Sequence, residues 1–276
     1  MLRVIGSDKM RLLAQTDTIG LSGWTAVSLA AMLIALTVFA VVAFMFVAER
    51  IWPGRKWPRT KHWWPRAIAL NAIQVAVVLV AGVTWDRWLE GKGLIDSEAL
   101  LGTQAAAIFG YLAITFIYYW WHRARHQIPF LWRWFHQVHH SPQRLEIITS
   151  FYKHPAEIAV NGVLSSLILY GLCGLTPQSA VLAIMLTGVA ELFYHWNIRT
   201  PYWVGFILQR PESHCVHHRR DWHQQNFADL PLWDMLFGTF YNPRESEFAC
   251  GFEDNRELQL GAMLRGQDVH LTQGEQ

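Results

Sequence analysis

Thirteen histidines occur in this 276-residue chain, and eleven of them fall between His122 and His223. His122 and His126 are four positions apart. His136-Gln-Val-His139-His140 and His214-Cys-Val-His217-His218 repeat one spacing, and His195 stands alone at the end of an apolar stretch. On a helix, positions i, i+3 and i+4 share one face, so each group can present its imidazoles together. A single histidine in such surroundings is ordinarily a hydrogen-bonded structural residue. Nine of them crowded beside apolar segments are costly to desolvate unless something ligates them. A structural zinc needs four ligands and commonly recruits cysteine, so eight or nine imidazoles imply two metal ions. Imidazole without thiolate suits iron, copper, zinc or manganese.

These groups need elements to hold them, and the hydropathy pattern supplies membrane helices. The chain is 52% hydrophobic and 16% charged, against roughly 25% charged for an ordinary soluble domain. Residues 24–48 run 25 positions without a charge, 67–85 run 19 and 99–121 run 23. At about 1.5 Å per residue each approaches or exceeds the ~30 Å hydrocarbon core. A further uncharged stretch, 158–190, is interrupted at Gly171-Leu-Cys-Gly-Leu-Thr-Pro177, where Thr176 can cap a new helix with Pro177 at its first position. The expected fold is therefore an all-α membrane protein: three long transmembrane helices plus a helical hairpin over 158–196, with a histidine-rich helical cap. The regions read as 1–121 (transmembrane), 122–243 (histidine boxes) and 244–276 (a polar tail with little core of its own).

The first connecting segment carries six Lys and Arg, from Arg50 to Arg66, and the second carries two, Arg87 and Lys92. Basic flanks are retained in the cytoplasm. This predicts an N-terminus outside, with the histidine groups and the C-terminus cytoplasmic, in an inner or plasma membrane by default. The N-terminal Arg3, Lys9 and Arg11 count mildly against that orientation.

The order H-x3-H, H-x2-H-H, an isolated histidine after a helical hairpin, then H-x2-H-H resembles the fatty acid hydroxylase/sterol desaturase superfamily of membrane di-iron oxygenases. The similarity covers roughly Trp120 to Tyr241. His154-Pro155-Ala156-Glu157, His195-Trp196-Asn197 and the closing run from Asn226-Phe227 to Trp233-Asp234 and Gly238-Thr239 agree with it. The ten-residue gap from His126 to His136 is similar to the hydroxylase branch. The resemblance implies His122, His126, His136, His139, His140, His195, His214, His217 and His218 as ligands of two iron ions, with O2 as co-substrate. Some members place a tenth histidine where this chain has Arg199; water, Glu191 or another histidine then completes the set. Near the ligands, His154 reads as structural or supporting, and Glu157, Asn197 and Asp221 as acceptors for a ligand's free ring N–H. His62, Cys215 and His223 are left outside the site.

The implied activity is hydroxylation of an unactivated C–H bond in a lipid: an acyl chain, sterol or related lipid. A desaturase or an alkyl-ether-cleaving monooxygenase on the same scaffold is the alternative. No fused cytochrome b5-type H-P-G-G and no iron–sulfur cysteine set is visible, so a separate electron donor is expected: cytochrome b5-like, ferredoxin or reductase. A zinc transporter or sensor predicts ionisable residues inside the spans, and the three long segments carry none. Bis-histidine haem binding wants ligands on paired helices at bilayer depth. The net charge of +2, with no basic stripe, argues against nucleic acid, and three scattered cysteines exclude a disulfide framework.

Overall fold

The computed structural model describes residues 36–222, 224–253 and 255–269. The chain divides into two compact units, residues 1–47 and 48–276. In the first, residues 36–47 are helical, and the rest of the expected first span, from residue 24, lies outside the described residues. His223, the basic residues near the N-terminus and the last seven residues of the tail also lie outside them.

In the second unit the described residues form helices and turns, with an isolated bridge between Arg219 and Cys250 as their only β pairing. Helix α1 is Trp63–Val83, continued past Thr84 by Trp85–Leu89. A short turn, Ser97–Leu101, precedes Gly102, whose φ of 74° ends it, and α2 then runs from Thr103 to Gln127. The third span expected over 99–121 is thus a helix that begins later and extends further, and it is not among the described helices long and apolar enough to cross a membrane. A positive φ that glycine adopts without strain splits its first residues off, and near its end Arg123 meets the Tyr119 hydroxyl and Arg125 pairs with Glu157.

After a π-helical turn, Trp132–His136, comes α3, Gln137–His140. Helix α4, Pro155–Ser166, runs on through the π-turn Leu167–Leu172, and α5 is Pro177–His195. The helix break falls where glycine, threonine and proline place it, with Thr176 accepting from the Ser179 N–H. Trp63–Leu89, Pro155–Leu172 and Pro177–His195 are each long and apolar enough to cross a membrane. Helix α6 is Pro211–His217, and α7 is Pro231–Leu236.

Helices α2 and α5 pack through small side chains. Ala106 packs with Ala180 and Ala183 in one core with Ile114, Leu169 and Leu175, and Gly110 lies against Leu169, Leu175 and Ala183. A Cβ on Gly110 would stand 2.7 Å from Leu175 Cδ1 and 2.9 Å from Leu169 Cδ2, so the close approach needs glycine. Small residues let helix backbones approach where lipid gives no hydrophobic drive to associate. The resulting α2/α5 pair carries histidines at its ends.

A second core joins the start of α1 to the cap: Trp63, Ala67, Trp132, Val138, Tyr152, Phe252, Met263 and Val269. The polar tail therefore packs into the cap's core. Arg66 reaches Glu257 at 2.8 Å, and Glu146 gathers Arg50, Arg144 and the Trp63 indole N–H. These buried carboxylates are paired, the condition under which charge is tolerated inside.

Candidate metal centre

Each histidine is delivered by a short, locally determined element. His122 and His126 sit one turn apart on α2. The π-turn before α3 brings His136 onto the face of His139 and His140, and α6 starts at Pro211, where the missing N–H of proline costs nothing. Arg210, 1% exposed, anchors that start through Thr200, Glu212, Asn242 and the Pro243 carbonyl.

The nine expected residues come together, in two groups. His122, His126, His136, His140 and His217 form one, and His139, His195, His214 and His218 form the other, with candidate ligand atoms within 4.8 Å of one another in each. The groups share a wall: the His140 and His218 rings stack with centroids 4.2 Å apart. Each H-x-x-H-H box contributes to both groups, which is what two adjacent positions plus one a turn away achieve on a helix.

The ring orientations decide which nitrogens face inward. His136 Nδ1 lies 3.1 Å from Glu157 Oε1, and His195 Nδ1 donates to the Glu191 carbonyl at 2.8 Å. His122 Nδ1 donates to the Phe227 carbonyl at 2.7 Å and His217 Nδ1 to that of Gln225 at 2.8 Å. The Gln209 amide lies 3.1 Å from His214 Nδ1. With Nδ1 of His122, His136, His195 and His217 protonated toward their oxygen acceptors, Nε2 of each carries a lone pair, whereas the Gln209 amide NH2 is a donor and His214 Nδ1 accepts from it. His136 and His140 then face each other at 3.1 Å between Nε2 atoms, His195 and His214 at 3.1 Å, and His214 and His218 at 3.0 Å. His122 Nε2 is buried with no hydrogen-bond partner among the described residues. Lone pairs gathered this way fit a cation: two ligands about 2.1 Å from one ion and at right angles stand about 3.0 Å apart.

Burial holds these imidazoles neutral, the form a metal takes. Loss of solvent pushes His136, His139, His140 and His214 well below the ordinary histidine range. Arg125 adds to this at His136, His218 at His139 and His140, and His195 at His214.

The surrounding residues divide differently from expectation. Glu157 touches His136, and Arg125, itself 4% exposed, pairs with it. Glu191 serves through its backbone carbonyl, while its carboxylate pairs with Lys153. His154 caps α4, accepting the Ala156 N–H at 3.0 Å, and its other nitrogen faces the Leu264 carbonyl. Asn197 braces residue 55 and takes a bond to Glu49 rather than to a ligand ring. Asp221 is exposed, in a turn with φ of 57°.

The closing run of the family resemblance supplies supporting groups whose roles only the fold shows. Asp234 accepts the N–H groups of Phe227 and Ala228 at 2.8 and 2.9 Å and the Thr239 hydroxyl at 2.6 Å. It thereby folds the 225–228 loop whose carbonyls orient His122 and His217. Burial raises its carboxyl to about 6. Asn226, at φ 57°, staples the same loop to the Ser213 and Tyr241 carbonyls. On the side of His195, a polar cleft is lined by Arg55, Tyr194, Arg199, Glu212 and Arg244.

Comparison with known proteins gives a match to the fatty acid hydroxylase family model over residues 107–239. A sphingolipid C4-hydroxylase from Schizosaccharomyces pombe is 28% identical over 140 residues, 49% of this chain and 48% of that one. The alkylglycerol monooxygenase of Homo sapiens is 32% identical over 138 residues, 47% of this chain and 29% of that protein. A very-long-chain aldehyde decarbonylase from Oryza sativa subsp. indica is 27% identical over 172 residues, 58% of this chain and 26% of its own length. The matches thus span about half or less of these curated relatives. No solved structure matches the chain.

Proposed function

We propose, from the premise that residues 107–239 belong to the fatty acid hydroxylase superfamily, that this chain is an integral membrane di-iron oxygenase hydroxylating a C–H bond of a lipid. The observation that carries the reading is the division of nine buried imidazoles into two groups that share the His140/His218 stack. Two iron ions held there would supply the activation of O2 and the oxidation of an unactivated C–H bond. The names of the relatives, two of them a hydroxylase and a monooxygenase acting on lipids, support the substrate class.

The chain's own residues orient and shield. Glu157, the Glu191 carbonyl and the carbonyls of Gln225 and Phe227 fix imidazole tautomers, while Tyr119, Phe227 and Trp132 wall off water. The basic first loop supports a site and C-terminus on the cytoplasmic side. A separate donor brings electrons.

The test is detergent-purified protein analysed for metal, then supplied with lipid extract, O2 and an electron donor. Near two irons per chain and a product heavier by one oxygen are expected, both reduced in His217→Ala. One zinc per chain, or product undiminished in that variant, overturns the reading.

A further inference from the structure

The three cysteines, Cys173, Cys215 and Cys250, carry no pairing signal in their spacing. The fold leaves one alone and brings two together. Cys173 is buried in the α2/α5 core. Cys215, on α6, packs against Cys250 in a small cluster with Leu145, Trp57 and Phe248. The Cys250 thiol meets the Cys215 sulfur and lies 3.6 Å from the Cys215 carbonyl oxygen. Both are thiols in this structure.

The backbone holds this contact in place. Arg219 and Cys250 form the antiparallel bridge, with the Arg220 N–H reaching the Ala249 carbonyl at 2.9 Å and the Gly251 N–H that of His218 at 3.2 Å. The Phe252 N–H reaches the Ser141 carbonyl at 3.1 Å. Gly251, at φ 71°, lies so close to Pro142 that a Cβ there would stand 2.2 Å from its carbonyl oxygen. The segment 249–252 thus laces together the ends of the two H-x-x-H-H boxes, and it carries Cys250 to a residue 35 positions earlier.

The two sulfurs differ in access. Cys215 lines the cleft beside His195, a cavity of about 150 Å³ bordered also by Trp57, Tyr194, Asn197 and Glu212. Cys250, 2% exposed, does not line it. Space for several waters admits a molecule as small as hydrogen peroxide.

We propose that Cys215 and Cys250 form a reversible disulfide, Cys215 being the residue that hydrogen peroxide oxidises through the cleft and Cys250 the residue that resolves it. Peroxide transfers one oxygen to the Cys215 sulfur, which becomes a sulfenic acid as the O–O bond breaks and water leaves. The Cys250 sulfur then attacks the Cys215 sulfur, the S–OH bond breaks, and a second water departs with the Cys250 proton. The pair loses two electrons and two protons in all, and an external dithiol restores it by exchange. The bond fastens α6, with His214 and His217, to the segment that closes the cap. It forms whatever metal the imidazoles take, so it stands apart from the lipid-oxygenase reading.

The experiment treats the reduced full chain in detergent with hydrogen peroxide, stops the reaction in a denaturing alkylating buffer, and maps the cysteines by mass spectrometry. Wild type should lose alkylation at Cys215 and Cys250 together and yield one linked peptide pair, lighter by two hydrogens and released by dithiothreitol. Cys173 should stay alkylated. Cys250→Ser should stop at the sulfenic acid, which dimedone traps at Cys215. Cys215→Ser should leave Cys250 unreacted, because that thiol does not face the cleft. Alkylation of all three cysteines in peroxide-treated wild type overturns the proposal, as does a bridge to Cys173 or between two chains. Dimedone trapping at Cys250 instead of Cys215 overturns the assigned order.

Discussion

Glu157 Oε1 stands 3.1 Å from His136 Nδ1, and the same oxygen pairs with Arg125. One carboxylate therefore fixes an imidazole's tautomer and balances a buried cation. Glu157→Gln keeps an acceptor for the ring N–H but loses the charge, and should weaken metal retention about 10- to 100-fold in a chelator competition. Glu157→Ala leaves Arg125 buried and unpaired and should cost a further 3 to 5 kcal/mol or so in stability. Equal metal retention by Glu157→Gln and wild type would show that the contact does not tune the site.

The two histidine groups should empty independently. His122→Ala removes one of five imidazoles and His195→Ala one of four. The second loss leaves three, so His195→Ala should fall toward one metal per chain, and His122→Ala should retain more. Elemental analysis of both, alongside wild type, reads this directly.

Acid should destabilise the metal-free protein. The folded-state values of His136, His139, His140 and His214 lie well below the ordinary histidine value. As pH falls through about 6.5, the unfolded chain binds protons that the folded chain refuses. Asp229 and Asp234 act oppositely. Their raised values, about 7 and about 6, give a contribution present at low pH that is lost as pH rises through them. Four histidines outweigh two carboxyls, so the melting temperature should fall as pH is lowered from 7.5 to 5.5. Each excess proton taken up on unfolding contributes about 1.4 kcal/mol per pH unit. A flat profile would contradict neutral burial of these rings.

Gly110→Leu should separate α2 from α5. The substituted side chain meets Leu175 and Leu169 at distances no real Cβ tolerates, and overpacking of this kind costs about 1 to 3 kcal/mol. Thermal unfolding should show it. Metal affinity should fall too, because His122 and His195 ride on those two helices.

Much of this arrangement is legible in the sequence because it is local. The H-x-x-H-H spacings follow from helix periodicity and the Thr176-Pro177 break from capping, and the structure places both accordingly. What escapes is long-range. Arg125 looks like a retention charge at a helix end, yet it is buried against Glu157. Asn197 resembles a ligand's neighbour by its position after His195, yet it bonds to residues more than 140 positions away. The carbonyls of Gln225 and Phe227 have no side-chain signature at all. Glu191 reads as a spare ligand, and only the fold reveals that its carboxylate is taken by Lys153.

The bond from His122 to the Phe227 carbonyl joins residues 105 positions apart. During synthesis α2 emerges carrying two histidines long before the loop that orients them. The five-imidazole group lacks its last member, His217, until then as well. The five imidazoles can therefore close on one another only after the segment up to residue 227 has joined α2, so the cage is a product of long-range folding and not of any one helix.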